Sequence, residues 1–447
     1  MHTHKPIKAW IAPTLCILFA ILWGVWLLPE TVFVRHTTMI LGAMIGLYVC
    51  VIYIDLFFKR EAIPIYVILL LLGWITFHYL FIGTNHALQL KELLGVWKKV
   101  LVCIPFAVGL GIAIGQSKQK KLCWNLLYLG LTLPTLIYFS KWVLTHNAIE
   151  WNIQSPYLLL NSNYSTPFGI SRALYPFYCL PSFVIALYLV INFSLISINL
   201  IPVYLSSIFL TPLLFFLEGD KTGLFLSTTF ILIMLVISFL KNYRKIKLRI
   251  LVITIACVLL GNIFLAFTKN FNQWDTIVSN TVISADIDKY DYWKYHGYKG
   301  LPKNNDGEDI HLSNYTRVAW FVAGFRLLHE NPFGYGLLTL SFDHLTKNKW
   351  PDSILSMTHS GFLDFALGYG YLGIGLLLIS SFAVLQKSYF FPANWNMLFW
   401  GFGALLLVML LKELSYEITV NAYIFLILLM GGLSLSFPAN NDTEVTK

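Results

Sequence analysis

The chain has 447 residues, of which 57% are apolar and 12% charged, about half the charged fraction of an ordinary soluble protein. With 34 Phe, 24 Tyr and 14 Trp, that balance excludes a soluble enzyme, a disordered chain, a nucleic-acid-binding domain and a disulfide scaffold. The net charge of +9 comes from 31 Lys and Arg against 22 Asp and Glu, and on an apolar chain its placement in loops matters more than its sum.

A bilayer core about 30 Å thick takes about 20 apolar residues of helix. Twelve stretches meet that need, near 9–28, 38–57, 63–82, 94–115, 122–141, 173–192, 196–216, 222–240, 248–267, 358–384, 395–411 and 420–437. The expected fold is therefore an all-α integral membrane protein of about 12 transmembrane helices. The first stretch reads as a retained span, since it is of full length and no small-residue cleavage pattern follows Leu28. Lys5, Lys8, Lys59, Arg60, Lys118, Lys120, Lys121 and the run Lys241, Arg244, Lys245, Lys247, Arg249 fall on one side if the N-terminus is cytoplasmic. This orientation gives spans one to nine in 1–267, a long outer loop in 268–357, and spans ten to twelve with a short cytoplasmic tail in 358–447.

Within the long outer loop, 286–314 is polar, Gly-bearing and aromatic, as a surface loop would be. Thr316 to Glu330 predicts an amphipathic helix at the membrane face, its apolar side made by Val318, Phe321, Val322 and Phe325, stopped by Asn331-Pro332. The six cysteines (Cys16, Cys50, Cys103, Cys123, Cys179, Cys257) all fall in apolar stretches and read as buried filler.

No phosphate-binding glycine loop, dinucleotide fingerprint, paired-carboxylate motif or Cys/His metal spacing occurs. What remains is a set of cations and an imidazole on the outer side. Lys221 lies at the mouth of a span in LEGDKTGLF, and its plain role is a snorkelling lysine paired with Glu218 and Asp220. Arg317 and Arg326 sit nine apart on the amphipathic segment, where an arginine is ordinarily just solvated. Arg317 is favoured because the turn Asn331-Pro332-Phe333-Gly334-Tyr335-Gly336 is shaped to bring backbone close to something. Lys412, Glu413 and Glu417 are expected to pair among themselves. His359 opens the span THSGFLDFALGYGYLGIGLLL at the outer interface, with water on one side and the bundle on the other.

His359 and Ser360, nine residues, Gly370, two residues and Gly373 form a pattern that resembles the O-antigen ligase family of integral membrane glycosyltransferases. Leu363 and Asp364 fit its continuation, and RVAWFVAGFRLLHENPFGYG, from Arg317 to Gly336, is similar to the family's segment before the histidine. At one position the chain departs: where the family places an arginine at the start of an earlier span, this chain has Lys221, which keeps the charge but lacks the bidentate fork. Arg172, in SRALYP, is a second source of a guanidinium, with an interfacial anchor as its plain alternative.

The resemblance implies a glycan transfer on the periplasmic face of the bacterial inner membrane, from an undecaprenyl diphosphate carrier to lipid A-core. No metal and no nucleotide cofactor is implied, because the diphosphate leaving group stores the driving force. His359 is then the candidate general base or acceptor positioner, and Arg317 the first cation for the diphosphate. Lys221, Arg172, Arg326 and Ser360 are candidates for substrate binding. Asp364, five residues after His359, is off its helical face and is not taken to orient the imidazole. O-antigen polymerase is the main alternative, followed by a protein O-oligosaccharyltransferase and a lipid-linked glycan transporter. The transporter is disfavoured because ionisable residues cluster in loops rather than at span midpoints.

Overall fold

The computed structural model describes residues 7–28, 31–147, 150–151, 172–191, 198–241, 261, 277–304, 307–412 and 417–437. Among them there is no strand beyond one isolated bridge, Lys303 to Asp309, and the architecture is helical throughout. Seven helices are long and apolar enough to cross a membrane, and four shorter apolar helices accompany them at Ile11–Val25, Tyr175–Val190, Ile201–Leu217 and Lys221–Ile237. The predicted stretch 248–267, residue 261 apart, lies outside the described residues.

In chain order the helices are α1 (Ile11–Val25), α2 (Val32–Ile52), α3 (Ile63–Phe81), α4 (His86–Glu92), α5 (Lys98–Gln116), α6 (Lys120–His146), α7 (Tyr175–Ile191), α8 (Ile201–Leu217) and α9 (Lys221–Lys241). Then come α10 (Ile277–Ala285), α11 (Leu312–Glu330), α12 (Ser341–Lys349), α13 (Gly361–Tyr389), α14 (Leu398–Leu411) and α15 (Glu417–Ser436). Local chemistry sets several boundaries. Pro64 opens α3 at a position where its missing N–H costs nothing. The Asn85 side chain caps α4 by accepting from the Leu88 N–H at 3.2 Å. A single π-helical turn, Leu93–Trp97, joins α4 to α5 and re-aims the side chains before it.

Helix α15 is apolar all round and almost wholly buried, so it occupies the centre of the bundle. It lies against α5 where Gly111 and Gly432 leave no room for a side chain on either surface, and α5 meets α2 through Gly109 and Gly46 in the same way. Such small-residue contacts are how membrane helices gain dispersion energy without help from water. Helix α2, by contrast, leaves Phe33, Met44, Leu47 and Val51 exposed, the pattern of a helix that faces lipid.

At one end of the bundle, α10, the turn Asp291–Tyr295, α11 and α12 form a cap with its own core. Trp293, Tyr315, Ala319, Trp320, Ala323, Leu327 and Phe342 pack there with Leu363 and Leu367 of α13. The amphipathic helix begins at Leu312, ahead of the predicted Thr316, and ends at Glu330 as expected, with the Asn331 side chain bonding the Leu327 carbonyl at 2.9 Å. Its buried face differs from the expected one. Phe321 and Phe325 are exposed, while the stripe through Tyr315, Ala319, Trp320 and Ala323 is buried. The reason is size: at Gly324 an added Cβ would meet Thr358 and Leu363, so the small-residue face is the one that fits against α13.

Candidate functional site

The segment leading into α13 is held by its own polar side chains. Asp364 accepts the Thr358 N–H at 2.8 Å, Ser360 is the N-cap whose hydroxyl accepts from Leu363 at 3.5 Å, and the Ser360 carbonyl accepts the Asp364 N–H at 2.9 Å. The Gly361 N–H donates to the carbonyl of Lys412, at the end of α14, at 2.9 Å. Between these anchors His359 adopts φ +64°, a left-handed conformation that costs an L-residue about 1–2 kcal/mol. The distortion puts its imidazole flat on the Trp320 indole, with centroids 4.9 Å apart and planes 9° from parallel. Trp320 is fixed in turn by donating to the Trp293 carbonyl at 2.9 Å. Asp364 thus holds the backbone in front of His359, a role that helical spacing alone does not reveal.

The cations come from two directions. Asp220 caps α9 by accepting the Gly223 N–H at 3.0 Å, and it forms a buried ion pair with Lys412 at 2.7 Å. This pair joins the start of α9 to the same Lys412 whose carbonyl holds Gly361, so the lysine corner and the histidine corner are one assembly. The expected pairing within 412–417 does not occur among the described residues. Lys412 reaches Asp220, and Glu417 reaches Lys99 of α5 at 2.5 Å; Glu413 lies outside the described residues. Lys221 and Arg317 are both exposed, and both act on His311, at the start of α11. Partial burial first, and then the charges of Lys221 and Arg317, hold that imidazole below its ordinary value. Lys221 and Arg317 are therefore both within electrostatic reach of His311.

Of the other predicted cations, Arg326 is engaged within the cap. Arg326 grips Asp288 with both guanidinium nitrogens, at 2.6 and 2.9 Å, and that bonding holds the Asp288 carboxyl below the usual range. Arg172 begins a short turn before α7, and its side chain lies outside the described residues. Ser360 is buried under the cap.

The turn Asn331 to Gly336 does bring backbone close to something, and that something is α13 itself. Gly370 breaks the helix with φ +71° and ψ −173°. The turn supplies the bonds the break removes: Tyr335 and Gly336 donate to the carbonyls of Leu367 and Gly368 at 2.8 and 2.6 Å, and Tyr371 donates to Pro332 at 2.9 Å. A Cβ at Gly370 would strike the Pro332 carbonyl and one at Gly334 the Gly368 carbonyl, which is why both positions are glycine.

Three polar residues that sequence reasoning passed over clamp this turn from the other side. Glu92 accepts the Leu338 N–H at 2.9 and 2.7 Å, the Trp97 indole N–H at 3.3 Å and the Tyr369 hydroxyl. Gln89 donates to the Tyr335 carbonyl at 3.1 Å, and His78 lies 3.3 Å from that of Gly334. Their signal was present as polar side chains in or beside apolar runs, where such groups are costly unless partnered.

Residues 205–378 match the family model described as O-Antigen ligase. No curated protein matches the chain. The match supports the O-antigen ligase resemblance, and with it a function of the membrane glycosyltransferase type to which such ligases and polymerases belong. It spans Asp220, Lys221, Arg317, His359, Ser360, Gly370 and Gly373. His78, Gln89, Glu92 and Lys412 lie outside it; the first three, from α3 and α4, bond Gly334, Tyr335, Leu338 and Tyr369, and Lys412, at the end of α14, bonds Asp220 and Gly361. Among the described residues no group of three or more His, Cys, Asp or Glu side chains is arranged to hold a metal ion.

Proposed function

We propose that the chain is an O-antigen ligase, an inverting transferase that moves a glycan from undecaprenyl diphosphate to a hydroxyl of lipid A-core on the periplasmic face of the inner membrane. One observation carries the reading: a left-handed His359, flat on an indole, shares an assembly with the α9 corner that presents Lys221, a cation whose charge, like that of Arg317, acts on His311. In the transfer, the acceptor oxygen forms its bond to the sugar C1 as the bond from C1 to the diphosphate oxygen breaks. His359 takes the hydroxyl proton, and a neutral imidazole suits that step near neutral pH. The leaving diphosphate carries away the electron pair, and its charge is met by Arg317 and Lys221 as fixed cations. We assign Ser360 and Asp364 to holding the histidine corner, Arg326 to fixing the Asp288 loop, and Arg172 to the donor side.

The test is lipopolysaccharide from a deletion strain run on a gel beside an assay of carrier-linked glycan. Core alone, with polymer accumulating on the carrier, is the expected result. Core bearing a single repeat would make the chain a polymerase, and an unchanged ladder would overturn both.

A further inference from the structure

Among the described residues only two that are not glycine have positive φ, His359 at +64° and His296 at +48°. The two belong to different parts of the cap, yet both imidazoles stack on the same indole. His296 lies 5.2 Å from Trp320 between centroids with planes 26° apart, against 4.9 Å and 9° for His359. We propose that His296 is a positioning residue for the candidate base: its ring packs on Trp320, and Trp320 in turn sets the plane of His359.

The backbone carries the argument. His296 ends the turn Asp291–Tyr295 in the left-handed region and is followed by Gly297 at φ +83°. Glycine or asparagine is the ordinary occupant of such a position, because other side chains are strained there. His296 is exposed, so its ring is not retained to fill a core. The contact that accounts for a ring at this place is the stack on Trp320, whose own surface is 4% exposed. The indole is held at one edge, where its N–H is tied to Trp293, itself tied through its own N–H groups to the Tyr315 hydroxyl and the Ile287 carbonyl at 3.2 and 3.1 Å, so its tilt about that edge is left to the stacked rings. His296 therefore closes a frame in which the indole has one orientation. Strain concentrated at two residues on one indole is the pattern of backbone energy spent on fixing a site.

This inference rests on His359 being the base, so its test has a readout independent of transfer. Diethyl pyrocarbonate acylates accessible neutral imidazoles, and peptide mass spectrometry of the full-length chain in detergent gives the rate at His359 alone. His296→Gly relaxes the backbone while removing the ring, and it should speed labelling of His359 by about three- to tenfold, the population change a lost aromatic stack allows. His296→Phe restores a flat ring and should return the rate to within about twofold of the parent. Labelling at the buried His78 reports that the fold is intact; His296→Asn, which also tolerates the left-handed region, replaces the glycine variant if it is not. An unchanged His359 rate in the ring-less variant, or equal release by Gly and Phe, would overturn the proposal. Transfer should fall about tenfold in His296→Gly and recover in His296→Phe. If His359→Ala retains transfer, the base assignment fails, while the labelling result still decides the stack.

Discussion

The backbone departs from helix at two places along α13, in the entry segment Thr358–Ser360 that leads into it and at the break at Gly370, and the two serve different ends. At the entry the strained residue is a histidine, its ring is partly exposed, and the candidate cations Lys221 and Arg317 are exposed too. At the break the strained residue is a glycine, and the surrounding groups (Glu92, Gln89, Trp97, Tyr369) are spent on backbone carbonyls, N–H groups and one another. Strain at a side-chain-bearing residue presents a ring; strain at glycine admits a neighbour. The pattern from His359 to Gly373 that resembles the ligase family therefore joins the candidate base to the break at which its helix is locked.

The largest expected effect is on the entry. His359→Ala should lower glycan transfer by about 10²–10⁴-fold, the range of a lost general base, with unchanged abundance in the membrane. Normal attachment in that variant would remove the histidine from the chemistry and leave the two stretches functionally alike. The buried pair beneath the entry comes next. Lys412→Met should destabilise the chain by about 3–5 kcal/mol, because it strands the Asp220 carboxylate without its cation. Replacing both, as Asp220→Leu with Lys412→Met, should recover much of that loss in a thermal melt. A double variant as unstable as the single would mean that the Gly223 cap, and not the ion pair, holds the corner.

Much of this was legible in the sequence, but unevenly. The apolar stretches were visible because the helical demand for about 20 residues is local. The entry was visible because His359 and Ser360 are adjacent in the chain, whereas the bond of Asp364 back to Thr358 was not. The partners of Glu92 and Lys412 were not visible, since Leu338 and Asp220 lie 246 and 192 residues away along the chain. The buried face of α11 was misjudged for a related reason. Hydropathy selects Phe321 and Phe325, but the approach to α13 selects alanine and glycine, and only the partner helix reveals that requirement.

Arg317→Lys sharpens the contrast on the entry side. If the fork of a guanidinium is needed for a diphosphate, the lysine variant should lose about 10²-fold in transfer, nearly as much as alanine. Full activity would reduce Arg317 to a plain charge and bring it level with Lys221. On the break side, Glu92→Gln should lower stability by about 1–2 kcal/mol, the difference between charge-assisted and neutral hydrogen bonds, while transfer per folded molecule stays at the parental level. Loss of transfer without loss of stability would show that the clamp takes part in the reaction.

The smallest effect concerns His311, which reports whether the entry's cations share a face. Burial is the first cause of its lowered value, and the charges of Lys221 and Arg317 come after it. Lys221→Met or Arg317→Met should each move the His311 titration part of the way back toward the ordinary imidazole value, with burial holding the remainder. The sign extends to stability. A histidine that resists protonation when folded is protonated more readily when unfolded, so stability is lost as pH falls from the unfolded value near 6.5 toward the lowered native one. Each methionine variant narrows that window and should flatten the acid-side decline in melting temperature. A His311 titration that ignores both substitutions would place neither cation within reach of His311 and remove the evidence that Lys221 and Arg317 act in one place.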